Sequence, residues 1–124
     1  MSVEEVALQF VDAINHADIN RLAALMTNDH TFIDSDGSKI IGQEAVLAGW
    51  SQYFSMMRDY RVTVHETFSS GKTVILVGTA TGIYAGNSQS YPENHWTVPA
   101  AWRAVTEAIG YPARFCPLRT WGNL

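Results

Sequence analysis

Cysteine is almost missing from this chain. Cys116 is the single one among 124 residues, so no intramolecular disulfide can form, and a reducing compartment is the expected setting. Charge is sparse as well. Asp, Glu, Lys and Arg together make 16% of the sequence, against roughly 25% in ordinary soluble domains. That shortfall implies apolar surface covered by something beyond the chain's own core, such as a ligand or a second copy. The eight basic residues are scattered from Arg21 to Arg119 without a run, which argues against a nucleic-acid footprint. No apolar stretch approaches the roughly 20 residues that cross a bilayer. The opening MSVEEVALQF is acidic and amphipathic, unlike a secretory leader. No two histidines have metal-ligand spacing, and one cysteine adds nothing. The expectation is a soluble cytoplasmic protein with no metal, no cofactor, and no nucleic-acid or membrane partner.

What is present suffices for one domain over residues 1–124. Hydrophobic residues make 47% of the chain, with four tryptophans and five tyrosines, types enriched in ligand pockets and interfaces. Ser2 and Glu5 form a capping box for a helix over 2–15. Val3, Val6, Ala7, Phe10, Val11 and Ile14 follow helical spacing on one face. After a break at His16-Ala17, Asp18 caps a second short helix with Leu22, Leu25 and Met26 inward. His30 to Asp34 reads as a short strand, Ser35-Asp36-Gly37 as a turn, and Ile40-Ile41 as a brief return strand. Gln43 to about Met56 is a third helix, with Val46, Leu47, Trp50, Tyr53, Phe54 and Met57 as its apolar face. Gly49 inside it costs about 1 kcal/mol relative to Ala, which suggests close packing there.

The pattern then turns to β. Tyr60, Val62, Val64 and Phe68 alternate with Arg61, Thr63, His65 and Thr67. A hairpin turn at Ser70-Gly71-Lys72 leads into a strand over 73–84, where Gly78 and Gly82 suggest bends or bulges. Residues 85–93 read as a loop. A strand follows over 94–105, where Pro99 implies an edge position or a bulge. A turn over 107–112 and a last strand over 113–121 complete the chain. Helices first and a sheet after them is the α+β pattern, here with a strongly bent, mainly antiparallel sheet wrapped around three helices into a cone.

Four stretches carry a resemblance: FVDAINHADINRLAALM, TNDHTFIDSDG followed by IIGQEAV, PAAWRAV, and LRTWGN. Together they resemble the nuclear transport factor 2-like superfamily, in the branch of SnoaL-like polyketide cyclases and ketosteroid isomerases. The resemblance implies a cone-shaped α+β barrel (also called cystatin-like) with an apolar pocket, and a homodimer through the outer face of the sheet. It implies a small apolar molecule as partner. It also places Asp34 at the general base of the ketosteroid isomerase. The oxyanion donors of that enzyme fall at Phe10 and about Ala100 here, and neither side chain can donate a hydrogen bond.

Asp34 therefore has two readings. It is a base beside an apolar cavity, or it closes the following turn by accepting N–H bonds from Asp36 or Gly37. His30 is an acid–base partner across the pocket mouth, or an exposed residue starting a strand. His95, beside Trp96, is an acid or hydrogen-bond donor in the pocket, or a residue on the outer sheet face. The pocket lining is expected from Phe10, Ile14, Phe32, Trp50, Tyr53, Trp96 and Trp102, although helical spacing equally makes Trp50 and Tyr53 core residues. Asp34-Ser35-Asp36-Gly37 fails as a calcium loop, since its glycine is fourth rather than sixth and no glutamate stands twelfth. Arg103 with Asp34 suggests an epoxide hydrolase-like water addition, with Glu66 as the available second acid. The leading reading is an isomerase or cyclase acting on a ketone-bearing substrate. The alternative is a ligand-binding or assembly module without turnover.

Overall fold

A computed structural model describes residues 2–84, 94–106 and 118–124. Helix α1 (Val3–Asn15) starts where Ser2 Oγ accepts the Glu5 N–H at 3.1 Å. Its apolar stripe, Val6, Ala7, Phe10, Val11, Ala13 and Ile14, is buried. Ala17 ends it in the left-handed region at φ +50, where the Asp18 N–H reaches back to the Ala13 carbonyl. Asp18 then caps α2 (Ile19–Ala24) by accepting from the Arg21 N–H. Helix α3 (Gln43–Met56) starts from Gly42 at φ +103 and buries Val46 and Trp50.

Six strands form one sheet in the order β2-β1-β6-β5-β4-β3. They are β1 (Met26–Ile33), β2 (Lys39–Ile41), β3 (Met57–Ser70), β4 (Thr73–Tyr84), β5 (Asn94–Thr106) and β6 (Leu118–Asn123). Among the described residues only β1 and β6 run parallel, and the other pairings are antiparallel. The core lies between the inner sheet face and the helices, with Phe10, Ile14, Leu22, Val74, Leu76, Ala104, Leu118 and Trp121 at its centre. The Asn15 amide ties α1 to β3. It donates to the Val62 carbonyl at 2.9 Å and accepts the Val62 N–H at 2.7 Å.

Two bulges bend β3. Val64 pairs with Gly78 and Glu66 with Val77, so His65 is an extra residue. A second irregularity lies between Arg58 and Arg61, where Asp59 takes φ +51. Gly78 is the partner that makes the first bend possible: a Cβ there would stand 1.8 Å from the Thr63 carbonyl oxygen.

Several expectations are corrected by this geometry. Phe68 is 57% exposed on the outer face, because the His65 bulge reverses the alternation beyond it. Thr67 and Ser69 turn inward instead and donate to Glu4 on α1. Pro99 introduces no bulge, since β4 and β5 pair without a break from Thr73↔Val105 to Tyr84↔Asn94. The Leu124 N–H donates to the Ala101 carbonyl, so odd-numbered β5 residues direct their backbone toward β6. The nitrogen of Pro99 thus faces the side where β6 no longer pairs, and no ladder bond is lost. Strand β1 begins at Met26 rather than His30, and Met57 belongs to β3 although buried as expected. Gly49 is not closely packed: a Cβ would meet only Ile40 Cδ1, at 3.8 Å. The expected loop over 85–93, the turn over 107–112, residues 113–117 of the last strand and Cys116 lie outside the described residues. Among the described residues no helix is long and apolar enough to cross a membrane.

The two glycines predict opposite outcomes. Gly78→Ala must displace backbone and should cost at least about 3 kcal/mol of unfolding free energy. Gly49→Ala removes only the helix penalty and should stabilise by up to about 1 kcal/mol. Urea unfolding of both variants checks this; equal effects would contradict the packing described.

Candidate functional site

Between α3 and the inner sheet face lies a cavity of about 320 Å³. Its size is at the small end of ligand pockets. Every layer of the fold contributes to the lining. Helix α1 supplies Ile14, β1 supplies Phe32, and α3 supplies Val46, Gly49, Trp50, Gln52 and Tyr53. The sheet adds Ile40, Tyr60, Val62, Trp102, Trp121 and Asn123, and Asp34 follows β1 at the rim.

Of the residues expected in the pocket, Ile14, Phe32, Trp50, Tyr53 and Trp102 are in this lining. Phe10 is not. It is fully buried beneath it, against Trp121 at 4.9 Å between centroids and stacked on His30 at 5.9 Å. Trp96 is half-buried outside the lining, 6.0 Å from the Tyr60 ring.

Asp34 is exposed rather than drawn into the interior. Its Oδ1 accepts the Ser35 N–H at 2.7 Å, while its backbone closes the turn through Ser38 and Gly37. The carboxylate bond thus comes from Ser35, not from Asp36 or Gly37. Turn closure and a place at the cavity are not exclusive, because one oxygen serves the turn while the second has no hydrogen bond among the described residues.

His30 is neither at the pocket mouth nor exposed. It is fully buried, and Nδ1 donates to the Leu118 carbonyl at 2.7 Å. That bond fixes the proton on Nδ1 and leaves Nε2 an acceptor with no partner among the described residues. Burial pushes the imidazole pKa down, offset in part by the Leu118 carbonyl and then Asp29. His95 is exposed on the outer face opposite Ile83, away from the cavity. Arg103 is likewise exposed, paired with Ile75 on the outer face. Glu66, beyond the β3 bulge, shares that face. The Asp–Arg–acid grouping needed for epoxide opening is therefore not assembled.

Three polar lining residues were not foreseen as site residues: Gln52, Tyr60 and Asn123. The alternation Tyr60, Val62, Val64 carried the signal for Tyr60. Its phenol meets that of Tyr53, with ring centroids 5.0 Å apart and planes at 88°. Burial raises the pKa of both. The contact with Tyr60 offsets part of the rise at Tyr53, whereas Tyr53 adds to the rise at Tyr60. Asp34 is near enough to add a smaller upward push on the Tyr53 pKa. No group of three or more His, Cys, Asp or Glu suited to a metal occurs among the described residues.

A family model for the SnoaL-like domain matches residues 7–108. The chain belongs to that family. No curated protein matches the sequence. Solved structures share the fold at low identity. A proposed SnoaL-like polyketide cyclase from Shewanella denitrificans OS-217 superposes with a TM-score of 0.83 at 17% identity, over 98% of this chain and 88% of that one. A proposed polyketide cyclase from Pseudomonas putida KT2440 gives 0.84 at 16% identity, over 100% and 91%. A protein with a ketosteroid isomerase-like fold from Catenulispora acidiphila DSM 44928, solved in complex with trimethylamine, gives 0.78 at 18%, over 97% and 84%. The SnoaL-like cone is thus the architecture of this chain, including its six-stranded, mostly antiparallel sheet.

His30 predicts acid sensitivity. Its pKa in the folded SnoaL-like domain lies below the ordinary 6.5, so the unfolded chain protonates first as pH falls. The stability is complete above about pH 6.5 and declines toward the lower folded value, by at most about 1.4 kcal/mol per pH unit. His30→Asn keeps a donor for Leu118 but does not titrate. Urea midpoints from neutral pH to about pH 5 should fall less steeply for the variant; parallel slopes would exclude His30 as the cause.

Proposed function

We propose that this SnoaL-like domain is an isomerase or cyclase that takes a proton from the carbon beside a ketone, with Asp34 as general base. The observation that carries the reading is the lining itself: among the described residues Asp34 is the one carboxylate in a cavity walled mainly by aliphatic and aromatic side chains, with Gln52 and Asn123 as its amides. A substrate seated there displaces water from the rim and leaves the carboxylate facing the acidic C–H. The proton moves to Asp34, and the electron pair flows to the carbonyl oxygen as an enolate. Return of the proton to another carbon gives isomerisation. Attack of the enolate carbon on a second carbonyl of the same molecule gives cyclisation.

The enolate oxygen needs a donor, and the side chains at Phe10 and Ala100 supply none. Tyr53 is the donor in this reading. It is an α3 side chain lining the cavity that Asp34 borders, and its hydroxyl can donate a hydrogen bond. His30 and His95 have no part in this scheme, given their placement.

A simple substrate tests the base. Deuterium uptake next to the carbonyl of 2-tetralone, followed by NMR, should be accelerated by the protein. Asp34→Asn should lower the protein-dependent rate by about a hundredfold or more. Tyr53→Phe should also slow it, by roughly the hundredfold typical of one lost oxyanion donor. Exchange unaffected by Asp34→Asn would remove that carboxylate from the mechanism.

The partner expected through the sheet is proposed on the same footing. Ile75, Val77 and Val105 remain half-buried on the outer face, beside the exposed Phe68. A homodimer would cover them. Ile75→Lys should convert the dimer to monomer in sedimentation equilibrium, and a monomeric wild-type chain would end the proposal.

A further inference from the structure

The walls of the cavity are aromatic beyond what proton transfer requires. Six of its lining residues are Phe32, Trp50, Tyr53, Tyr60, Trp102 and Trp121. Around one side, successive rings stand nearly at right angles. Phe32 meets Trp50 at 80° with centroids 5.8 Å apart, and Trp50 meets Tyr53 at 89° and 6.2 Å. Tyr53 meets Tyr60 at 88° and 5.0 Å. Asp34 is the only Asp or Glu in the lining, and no Lys, Arg or His lines it, among the described residues.

This combination has a specific electrostatic preference. Each aromatic face carries the negative lobe of a quadrupole, so several rings around one space favour a cation. A carboxylate at the rim adds attraction of the same sign, and the chain's net charge of −4 adds a weak long-range field. An anion would find no basic group there. A primary ammonium would give up stronger hydration on entering, for which the side-chain acceptors at hand are Asp34, Gln52, Asn123 and the two tyrosine hydroxyls. A tertiary or quaternary alkylammonium is weakly hydrated and apolar on its outside, which suits aromatic walls with one distant counter-charge.

We propose that the cavity binds a small tertiary or quaternary alkylammonium group, either as a free ion or as the head group of a substrate. This goes beyond the reading of Asp34 as a base and does not depend on it, since binding is required of the site and turnover is not.

Choline and 3,3-dimethyl-1-butanol form the decisive pair of probes. They have the same shape, with carbon replacing the charged nitrogen in the alcohol. Calorimetric titration of the full chain, with quenching of tryptophan fluorescence alongside, should show choline binding at least about tenfold tighter than the alcohol. Asp34→Asn should weaken choline several-fold and leave the alcohol unchanged. Tyr53→Phe keeps the ring and should keep most of the affinity, whereas Tyr53→Leu should lose several-fold more. Equal binding of the two probes would show a merely hydrophobic cavity and overturn the proposal, as would absence of saturable choline binding to the wild-type chain. Both outcomes are read on the wild-type chain, so failure of a variant to fold leaves the test intact. Choline binding without any 2-tetralone exchange would overturn only the base mechanism.

Discussion

The close approach of β3 to β4 at Gly78 is the constraint on which the cavity depends. A strand without the extra residue would bend and twist less than this one does. Here the Thr63 carbonyl lies where a side chain at 78 would be, and His65 is an extra residue in the ladder. The bulged strand bends and twists more strongly. The curl carries Tyr60 and Val62 toward α3, and the Asn15 amide holds the Val62 peptide against α1 on both its polar atoms. The cavity lies between these anchored positions and α3.

Aromatic packing then decides which part of the interior is filled. Phe10, Trp121 and Trp102 form a continuous stack below the cavity, with Phe10 and Trp121 at 4.9 Å and Trp102 and Trp121 at 6.3 Å. His30 extends it as a neutral ring whose one donor is used by Leu118. Large side chains of this kind account for much of a core's burial energy. They also explain why the position that holds a donor in the ketosteroid isomerase resemblance is apolar here: Phe10 belongs to the floor, not to the reacting surface. The polar groups of the site have moved to the walls, on α3, β3, β6 and the turn after β1.

Local signals made most of the architecture legible. The Ser2 cap, the Asp18 cap and the helical spacing from Gln43 to Met56 are interactions within a few residues, and they set the helix positions found. The hairpin turn at Ser70-Gly71-Lys72 likewise marked the start of the strand over 73–84. What failed was decided by distant partners. The side on which Phe68 falls depends on a bulge that exists because residue 78 is a glycine on the neighbouring strand. Pro99 is harmless because β6 stops pairing before reaching it. His30 is buried because β6 pairs parallel to β1 and brings Leu118 to it, a contact 88 residues apart in the chain. For the site, Asp34 and the α3 aromatics were visible as types in a plausible order, while Gln52, Tyr60 and Asn123 became cavity residues only when three elements met.

The placement of charge in the lining links the two functional readings. A carboxylate that removes a proton from carbon and then faces an enolate suffers repulsion unless one of the two charges is neutralised. In the proposed reaction, proton transfer would neutralise Asp34 as the enolate forms, so negative charge would shift from the rim toward Tyr53 without a net increase. An alkylammonium group held by the aromatic wall would sit between those two positions and favour negative charge at either. Such a cation would steady the carboxylate before transfer and the enolate after it, which changes the reaction barrier less than the affinity. The rings would therefore select which molecule occupies the cavity, and the direction of proton movement would be left to Asp34 and the hydroxyl of Tyr53.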